Sequence, residues 1–595
     1  MKMMIDVISE EMMKAFEGAG YDGNLGRVTV SNRPDLCEYQ CNGAMAGAKL
    51  YKKAPLVIAG DVAKALEGSK IFSQVEAVAP GFLNLKLSED FLAGFINGMM
   101  AEEKFGVESP GGEDKKTIII DYGGPNVAKP LHVGHLRPAI IGESIKRICR
   151  YAGHEVIGDV HLGDWGLPMG QIITELAERQ PDLVYFDDSF EGEYPVEPPF
   201  TISELEEIYP FASGKCKQDE EYKAKALKAT AELQKGRRGY RALWKHILNV
   251  SVNDLKKNYE KLDVHFDLWK GESDCDPYIP DMVEKMKKDG YAYISDGALV
   301  VDVKEETDKK EMPPCMILKS DGAANYETTD LATIVMREQD YKPDSIVYVV
   351  DKRQQLHFEQ VFRCARKTGI VRDECSLEFV GFGTMNGPDG KPFKTRDGGV
   401  LRLEYLLKDI RDKMEADIRE NNADKDKQLS DEETADIAGK AGLAALKYGD
   451  LSNQASKDYI FDIARFTSFE GDTGPYILYT MARIKSVLNK CRERGIDVDG
   501  LKSVNVPAGK TEKELLMNMA GFNQMIKDAS DGRAPHKVCA FIYDLANKFN
   551  TFYHDNNILN AEENVRNGFI AELKACLALF EVSIGLLGFE APERM

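Results

Sequence analysis

A new pattern of apolar and polar positions begins at residue 117. Residues 117–121 place three isoleucines between Thr117 and Asp121, a run suited to a parallel strand buried on both faces. A Gly/Pro-rich turn follows. Ile140, Ile141, Ile145, Ile148 and Ala152 then mark one helical face, with Gly153 placed to stop the helix. Residues 154–160 read as the next strand. Strand, helix and strand within about forty residues predict a right-handed crossover and a doubly wound sheet. Apolar runs at 298–303, 345–350 and 377–381 predict further strands, so the sheet spans a long insertion.

The flanks read differently. Residues 1–20 carry acids among apolar positions and predict an amphipathic helix rather than a targeting peptide. Residues 82–87 alternate as a strand, and the Gly-, Pro- and charge-rich stretch 108–116 reads as a linker. A second charged stretch, 421–433, reads as another boundary, and the chain beyond about 440 has helical spacing throughout. The expected fold is α/β: a Rossmann-like parallel-sheet domain over 113–440 with insertions, an α+β unit over 1–112 and an all-α unit over 441–595. Within the insertion, 181–210 is rich in Pro and acids and reads as exposed. The segment 215–245 is rich in Lys and Arg, either a solvated helix face or a nucleic-acid-facing surface.

Composition narrows this little. The 595 residues are 43% hydrophobic and 29% charged, ordinary for a globular chain. The formal net charge of −21 argues against a general nucleic-acid coat but leaves room for local basic surfaces. Eleven cysteines occur without Cys-x-x-Cys spacing, so neither a structural zinc nor a disulfide framework is expected. No apolar run approaches a membrane span.

Candidate chemistry concentrates in three places. The segment from Asp121 to Arg137 joins the first sheet strand to its helix, where doubly wound sheets bind ligands. His132 and His135 flank Gly134 at a spacing that puts both rings on one face at a helix start. Two imidazole donors and a helix N-terminus suit charge developing on a phosphate; local hydrogen bonding is the plainer alternative. The second place is a Gly-rich stretch from Asp389 to Gly399 whose Lys391, Lys394 and Arg396 would suit a polyphosphate, although a polar hairpin would look the same. The third is Tyr326 and Asp330, four apart on a helix; a phenol beside a carboxylate suits a planar cation, and an ordinary exposed pair is the alternative.

Taken together, these segments resemble the class I aminoacyl-tRNA synthetases. The flanks of His132-Val-Gly-His135, the run His161-Leu-Gly-Asp-Trp-Gly166 and the Phe-Lys-Thr-Arg loop at 393–396 resemble the arginyl-tRNA synthetases in particular. That loop departs from the general class signature, since Thr395 stands where a second lysine would. The resemblance extends to residues 33–45 and 80–84, to 469–483 and to the C-terminal residues.

It implies activation of L-arginine by ATP with Mg2+ to arginyl-adenylate, then transfer to the 3'-terminal adenosine of arginine tRNA, leaving AMP and pyrophosphate. Family members characteristically need bound tRNA before they activate arginine. His132, His135, Lys391, Lys394 and Arg396 would be the catalytic set. Asp121, Gly124, Pro125, Asn126, His135, Tyr326, Asp330 and Gln354 would form the arginine pocket. Lys129, His132, Gly134, His135, His357 and Lys394 would contact ATP, with capping of a strand-to-helix turn as the alternative for His357. Phe82 and Asn84 on the N-terminal unit, and Tyr476 and Tyr479 on the helical one, would meet tRNA; core packing is the plainer role for Phe82. No structural metal, a monomer and a cytoplasmic location are the remaining expectations. A nucleotidyltransferase sharing the two-histidine sheet would lack the Tyr326/Asp330 pocket and the long helical unit. A non-catalytic RNA-binding paralogue would be expected to lose the histidines or Lys394.

Overall fold

The computed structural model describes residues 1–129, 131–387, 389–391, 402–422 and 429–595. The N-terminal unit is an antiparallel sheet of β1 (Val28–Val30), β2 (Tyr39–Cys41), β3 (Phe72–Val78) and β4 (Phe82–Leu87), in the order β1-β2-β4-β3. Along β4 the predicted alternation holds. Leu83, Leu85 and Leu87 are buried against the helices Met4–Gly18 and Pro55–Ala65, while Phe82, Asn84 and Lys86 stand on the other face. Phe82 is therefore only half-buried and lies outside the row that fills the core.

The central sheet is wholly parallel. Its strands are β5 (Thr117–Tyr122) and β6 (Glu155–Asp159), then, beyond the antiparallel meander β7 (Ala292–Ser295), β8 (Ala298–Val301) and β9 (Cys315–Leu318), β10 (Ser345–Asp351) and β11 (Ser376–Phe382). The order is β11-β10-β5-β6. From β5 the chain crosses over to β6 on one side; from β10 it crosses to β11 on the other. β5 and β10 are thus adjacent strands whose connections diverge, which opens a crevice beyond their C-terminal ends. Apolar side chains on both faces explain why β5 and β10 read as continuous runs: Ile118, Ile119, Ile120, Ile346 and Val347 are all fully buried.

The insertion between β6 and β7 carries the helices Ile202–Gln218, Glu220–Gln234 and Arg238–Lys261. Several of its cations are neutralised at home. Lys215 and Lys225 reach Glu178, Lys228 reaches Glu232, and Arg237 reaches both Asp188 and Glu232. The short parallel pair β12 (Met385–Asn386) and β13 (Tyr459–Ile460) then ties the sheet domain to the C-terminal helices, of which Asp431–Leu451, Gly474–Glu493, Pro535–Asp555 and Glu563–Leu587 are the longest. All eleven cysteines are free and buried, and no helix among the described residues is long and apolar enough to cross a membrane.

One buried cation joins these pieces. Arg137, 2% exposed, donates from Nε to Asp450 Oδ2 at 2.9 Å and from Nη1 to the carbonyls of Gly383 at 2.6 Å and Lys457 at 3.2 Å. The Tyr459 hydroxyl donates to the same Asp450 oxygen at 2.9 Å. Removing one partner of a buried pair leaves the other charge uncompensated, at about 3–5 kcal/mol. Asp450→Asn should therefore lose about 3 kcal/mol or more in urea unfolding; a midpoint equal to wild type would show that Arg137 does not hold the domains together.

Candidate active site

Beyond β5 the chain turns at Gly123 and runs alongside the segment after β6. Asn126 and Gly163 form an isolated parallel bridge, in which Val127 N–H donates to the Gly163 carbonyl at 3.1 Å and Gly163 N–H donates to the Pro125 carbonyl at 3.2 Å. A Cβ on Gly163 would stand 2.1 Å from Asn126 Oδ1, so only glycine lets that amide lie where it does. Gly124 and Asn126 are exposed at the crevice, and Pro125 is buried beneath them. Ala128 takes a left-handed φ of 61° and donates its N–H to the buried Ser251 hydroxyl at 3.0 Å. Lys129 then lies 4.8 Å over the Tyr209 ring.

The two histidines cap a short 3-10 turn, Val133–His135, that leads into the helix Leu136–Tyr151. His132 Nδ1 accepts from Gly134 N–H at 3.0 Å, and His135 Nδ1 accepts from His132 N–H at 3.2 Å. The rings stack with centroids 3.8 Å apart. A Cβ on Gly134 would come within 2.8 Å of the His132 ring. Gly134 thus serves the cap itself, in addition to any approach by a ligand. Burial lowers the pKa of both rings, helped by Lys129 at His132, and at His135 by His132 and Lys129; His135 falls to about 3. Each ring is therefore neutral near pH 7, with Nδ1 accepting and the N–H on Nε2. The local hydrogen bonds and the donor role, alternatives in the sequence, are compatible: the first fixes the tautomer that the second requires.

Under this segment lies an ion cluster that the sequence reading missed. Arg337, 1% exposed, donates from Nη2 to Asp121 Oδ2 at 2.6 Å and to Asp159 Oδ2 at 2.7 Å, and its guanidinium sits 5.5 Å from the centre of the Tyr348 ring. Burial pushes the Asp121 carboxyl up against the pull of Arg337; at Asp159 burial acts the same way and Arg337 outweighs it. Asp121, expected in the amino-acid pocket, thus has one oxygen held from below. The signal for Arg337 was faint: a cation four residues after Thr333 on a helix whose buried residues include Leu331, Ala332, Ile334 and Met336.

Across the crevice, the helix Tyr326–Tyr341 starts at a capping box between Asn325 and Thr328. Tyr326 opens it, 75% exposed, and Asp330 follows one turn later, half-buried. Asp330 already has a partner: His357 Nε2 lies 2.5 Å from its Oδ2. Burial alone would lower the His357 pKa, but its hydrogen bonds to Asp330 and Glu327 prevail and raise it to about 9. Gln354, at the end of the turn after β10, is exposed beside this group. Glu272, also unforeseen, comes from the insertion. Burial and the charges of Asp164 and Asp330 push its carboxyl up to about 7, despite His161.

Lys391 is exposed in a tight turn, with Gly387 N–H donating to its carbonyl at 2.7 Å. Lys394 and Arg396 lie outside the described residues. The chain returns at Arg402, paired antiparallel with His132, and Leu403 N–H donates to the Leu131 carbonyl at 3.1 Å. The Gly-rich stretch is therefore followed directly by a residue bonded to the two-histidine segment.

On the flanking units, Asn84 accepts from Gln40 Nε2 at 2.9 Å on the same outer face as Phe82. The Tyr476 hydroxyl is satisfied by Asn547 and Asn550 at 2.9 and 3.0 Å, whereas Tyr479 is 41% exposed with Arg483 5.0 Å from the centre of its ring.

Comparison with known proteins accounts for nearly the whole chain. Residues 97–463 match the profile of class I tRNA synthetases (R), catalytic domain; residues 2–87 match the arginyl tRNA synthetase N-terminal domain, and 477–595 the DALR anticodon binding domain. The chain is 62% identical over 599 residues to the arginine–tRNA ligase of Agathobacter rectalis and 55% identical over 596 residues to that of Alkaliphilus oremlandii, covering 100% of both partners in each case. Its fold matches the crystal structure of arginyl-tRNA synthetase from Plasmodium falciparum with a TM-score of 0.80 at 23% identity, over 100% of each chain.

The depressed pKa of His135 has a measurable consequence. Its ordinary value of 6.5 holds in the unfolded chain and about 3 in the folded one, so acid favours unfolding from pH 6.5 downward. The imidazole 15N resonances of His135 should keep their neutral shifts from pH 8 to pH 5. Protonation near pH 6.5 would show a hydrated ring and remove the fixed tautomer.

Proposed function

The chain belongs to the arginyl-tRNA synthetases, and from that membership we propose how its residues divide the reaction. The enzyme is an arginine–tRNA ligase: it activates L-arginine with ATP to arginyl-adenylate and transfers arginine to the 3'-terminal adenosine of arginine tRNA, releasing AMP and pyrophosphate. Both steps are displacements that need orientation and charge stabilisation rather than a covalent protein intermediate.

The observation that carries the assignment is the pair of neutral imidazoles on the turn after β5, with Asp330 and His357 paired on the helices before and after β10. In the first step the arginine carboxylate attacks the α-phosphate. The Nε2–H groups of His132 and His135 donate to the oxygens on which charge accumulates. Neutral donors suit this task, because an imidazole whose pKa is about 3 has its second nitrogen committed and cannot drift into acid–base exchange with the nucleotide. Gly134 and Lys129 complete the nucleotide side, and the start of the following helix adds its positive end. Magnesium arrives on the triphosphate as part of the substrate. Lys391, Lys394 and Arg396 neutralise the departing pyrophosphate.

Arginine lies across the crevice. Its guanidinium meets Asp330, directed by the Tyr326 hydroxyl. Its amino and carboxylate groups meet Gly124, Pro125, Asn126, His135 and Gln354. Asp121 supports that end through Arg337, which holds the strand ends apart from solvent. His357, expected at the nucleotide, has its Nε2 on Asp330 in the free protein, so it serves the amino-acid side of the crevice. Glu272 adds a second carboxylate whose ionisation a bound cation would favour.

Transfer RNA spans both flanking units. Phe82 and Asn84 on the outer face of β4 offer stacking and amide hydrogen bonding to an unpaired base, and Tyr479 offers an exposed ring on the helical unit. Tyr476 supports that helix through Asn547 and Asn550 while presenting its ring edge. The enzyme works as a monomer in the cytoplasm. Charging of purified arginine tRNA with labelled arginine, dependent on ATP, tests the whole scheme; retention of full activity in His135→Ala, assayed with tRNA present, would overturn the donor role.

The sharpest division concerns Asp330. A guanidinium remains charged at working pH, so a permanent carboxylate should read it. Asp330→Asn keeps the shape, removes the charge and leaves a buried cation unpaired at about 3–5 kcal/mol. The Michaelis constant for arginine should rise about a hundredfold or more, at 1.4 kcal/mol per tenfold, with ATP binding unchanged. Citrulline, neutral at the same position, should lose much less. An equal loss for both ligands by calorimetry would mean that Asp330 supports the fold and does not read charge.

A further inference from the structure

One imidazole bridges two carboxylates where the substrate's cation is expected. His357 Nε2 lies 2.5 Å from Asp330 Oδ2, and its Nδ1 lies 3.8 Å from Glu327 Oε1. The two acids are three residues apart on one face of the helix Tyr326–Tyr341; the ring comes from the neighbouring helix Gln355–Lys367. Among the described residues, no lysine or arginine pairs with Asp330.

The other elements around the ring supply no competing charge at this distance. Cys315 on β9 is a buried thiol kept protonated by its hydrogen bond with Cys364 and by burial. Phe379 on β11 packs against Phe358. Arg353, in the turn after β10, is taken by Asp351 at 2.6 Å. Lys319, following β9, acts on Glu327, and Glu272 from the insertion feels Asp330 at longer range.

We propose that His357 is a placeholder for the substrate guanidinium: its imidazolium pairs with Asp330, and arginine takes over that carboxylate while the ring gives its proton to solvent. The inference rests on the reading of Asp330 as the guanidinium partner. The charges balance. The pocket gains one positive charge with arginine and loses one with the proton, and the N–H bond that breaks leaves its electron pair on the imidazole. The driving force is ordinary electrostatics. The acids that keep the ring protonated are the ones the guanidinium neutralises, and a like charge within about 4–6 Å disfavours the protonated ring. With that support withdrawn, burial prevails and the ring becomes neutral.

Exchange of this kind sharpens selection. Asp330 is never left without a cation, so a ligand must bring its own positive charge to displace the ring. A neutral analogue of the same shape has nothing to exchange. It must bind beside an Asp330 that His357 still holds.

Calorimetry of L-arginine binding to the full-length enzyme, in buffers of low and high ionisation enthalpy at pH 8, reads the exchange directly. Wild type should release about half a proton or more per arginine, because the free ring titrates at about 9 and the bound one below pH 8. At pH 8 Glu272 is already mostly ionised and contributes little. The amino group of free arginine titrates in the same range and cancels when His357→Gln is compared with wild type. In that variant the release beyond the amino group's own contribution should be lost. Arginine binding with no wild-type proton release, or with equal release in the variant, overturns the placeholder role alone. Arginine binding left intact by Asp330→Asn overturns the reading on which it rests. Should His357→Gln fail to bind arginine, the imidazole 15N shifts of wild type with and without arginine follow the same proton: a ring still protonated at pH 8 in the complex rejects the inference.

Discussion

The structure depends on a buried arginine that touches no predicted ligand. Arg137 ends the Gly-His-Leu-Arg run, so it is set on the first turn of the helix that the two histidines begin. Its guanidinium gathers the carboxylate of Asp450 on the first helix beyond the charged boundary, the Gly383 carbonyl just past β11 and the Lys457 carbonyl just before β13. Three acceptors, 246 to 320 residues further along the chain, thus share one planar donor. A lysine, a point charge on a flexible stem, could not span these acceptors. Buried ion pairs add little to net stability when compared with an apolar replacement. What this one supplies is register: the histidine turn and the chain just past β11 are fixed against a common centre.

A second theme is how few cations are free. The chain is acidic overall, with a formal charge of −21, yet it must hold a nucleotide triphosphate and a tRNA. Lys215, Lys223, Lys225, Lys228 and Arg237 of the 215–245 segment are paired with neighbouring acids. Arg337 is spent under the sheet on Asp121 and Asp159. Where the chain enters the helix after β5, it presents two oriented neutral imidazoles, whose tautomers are set by backbone N–H groups. Such donors keep their strength in a dry crevice without attracting phosphate indiscriminately.

The flanking units are not loose appendages. Lys513 in the helical unit pairs with Glu38 and Glu89 and donates to the Leu87 carbonyl, while Asn97 and Val504 exchange a pair of hydrogen bonds. The sheet carrying Phe82 and Asn84 is therefore docked on the same helices that lead to Tyr479. The two surfaces therefore belong to a single frame.

Much of this was written in local sequence. Continuous apolar runs marked β5 and β10, because a strand buried on both faces admits little else, and the two-histidine turn carried its own cap. Alternation in β4 told inner from outer face, and corrected the expectation for Phe82, which follows the polar phase. Tertiary structure alone decided the rest. The capture of Asp330 by His357, the burial of Arg337 between two aspartates and the arrival of Glu272 from the insertion all join residues whose spacing along the chain carries no periodic signal. A charged side chain reads as solvated until the partner that compensates its burial is known, and such partners come from separate elements that only the packed sheet brings to one crevice.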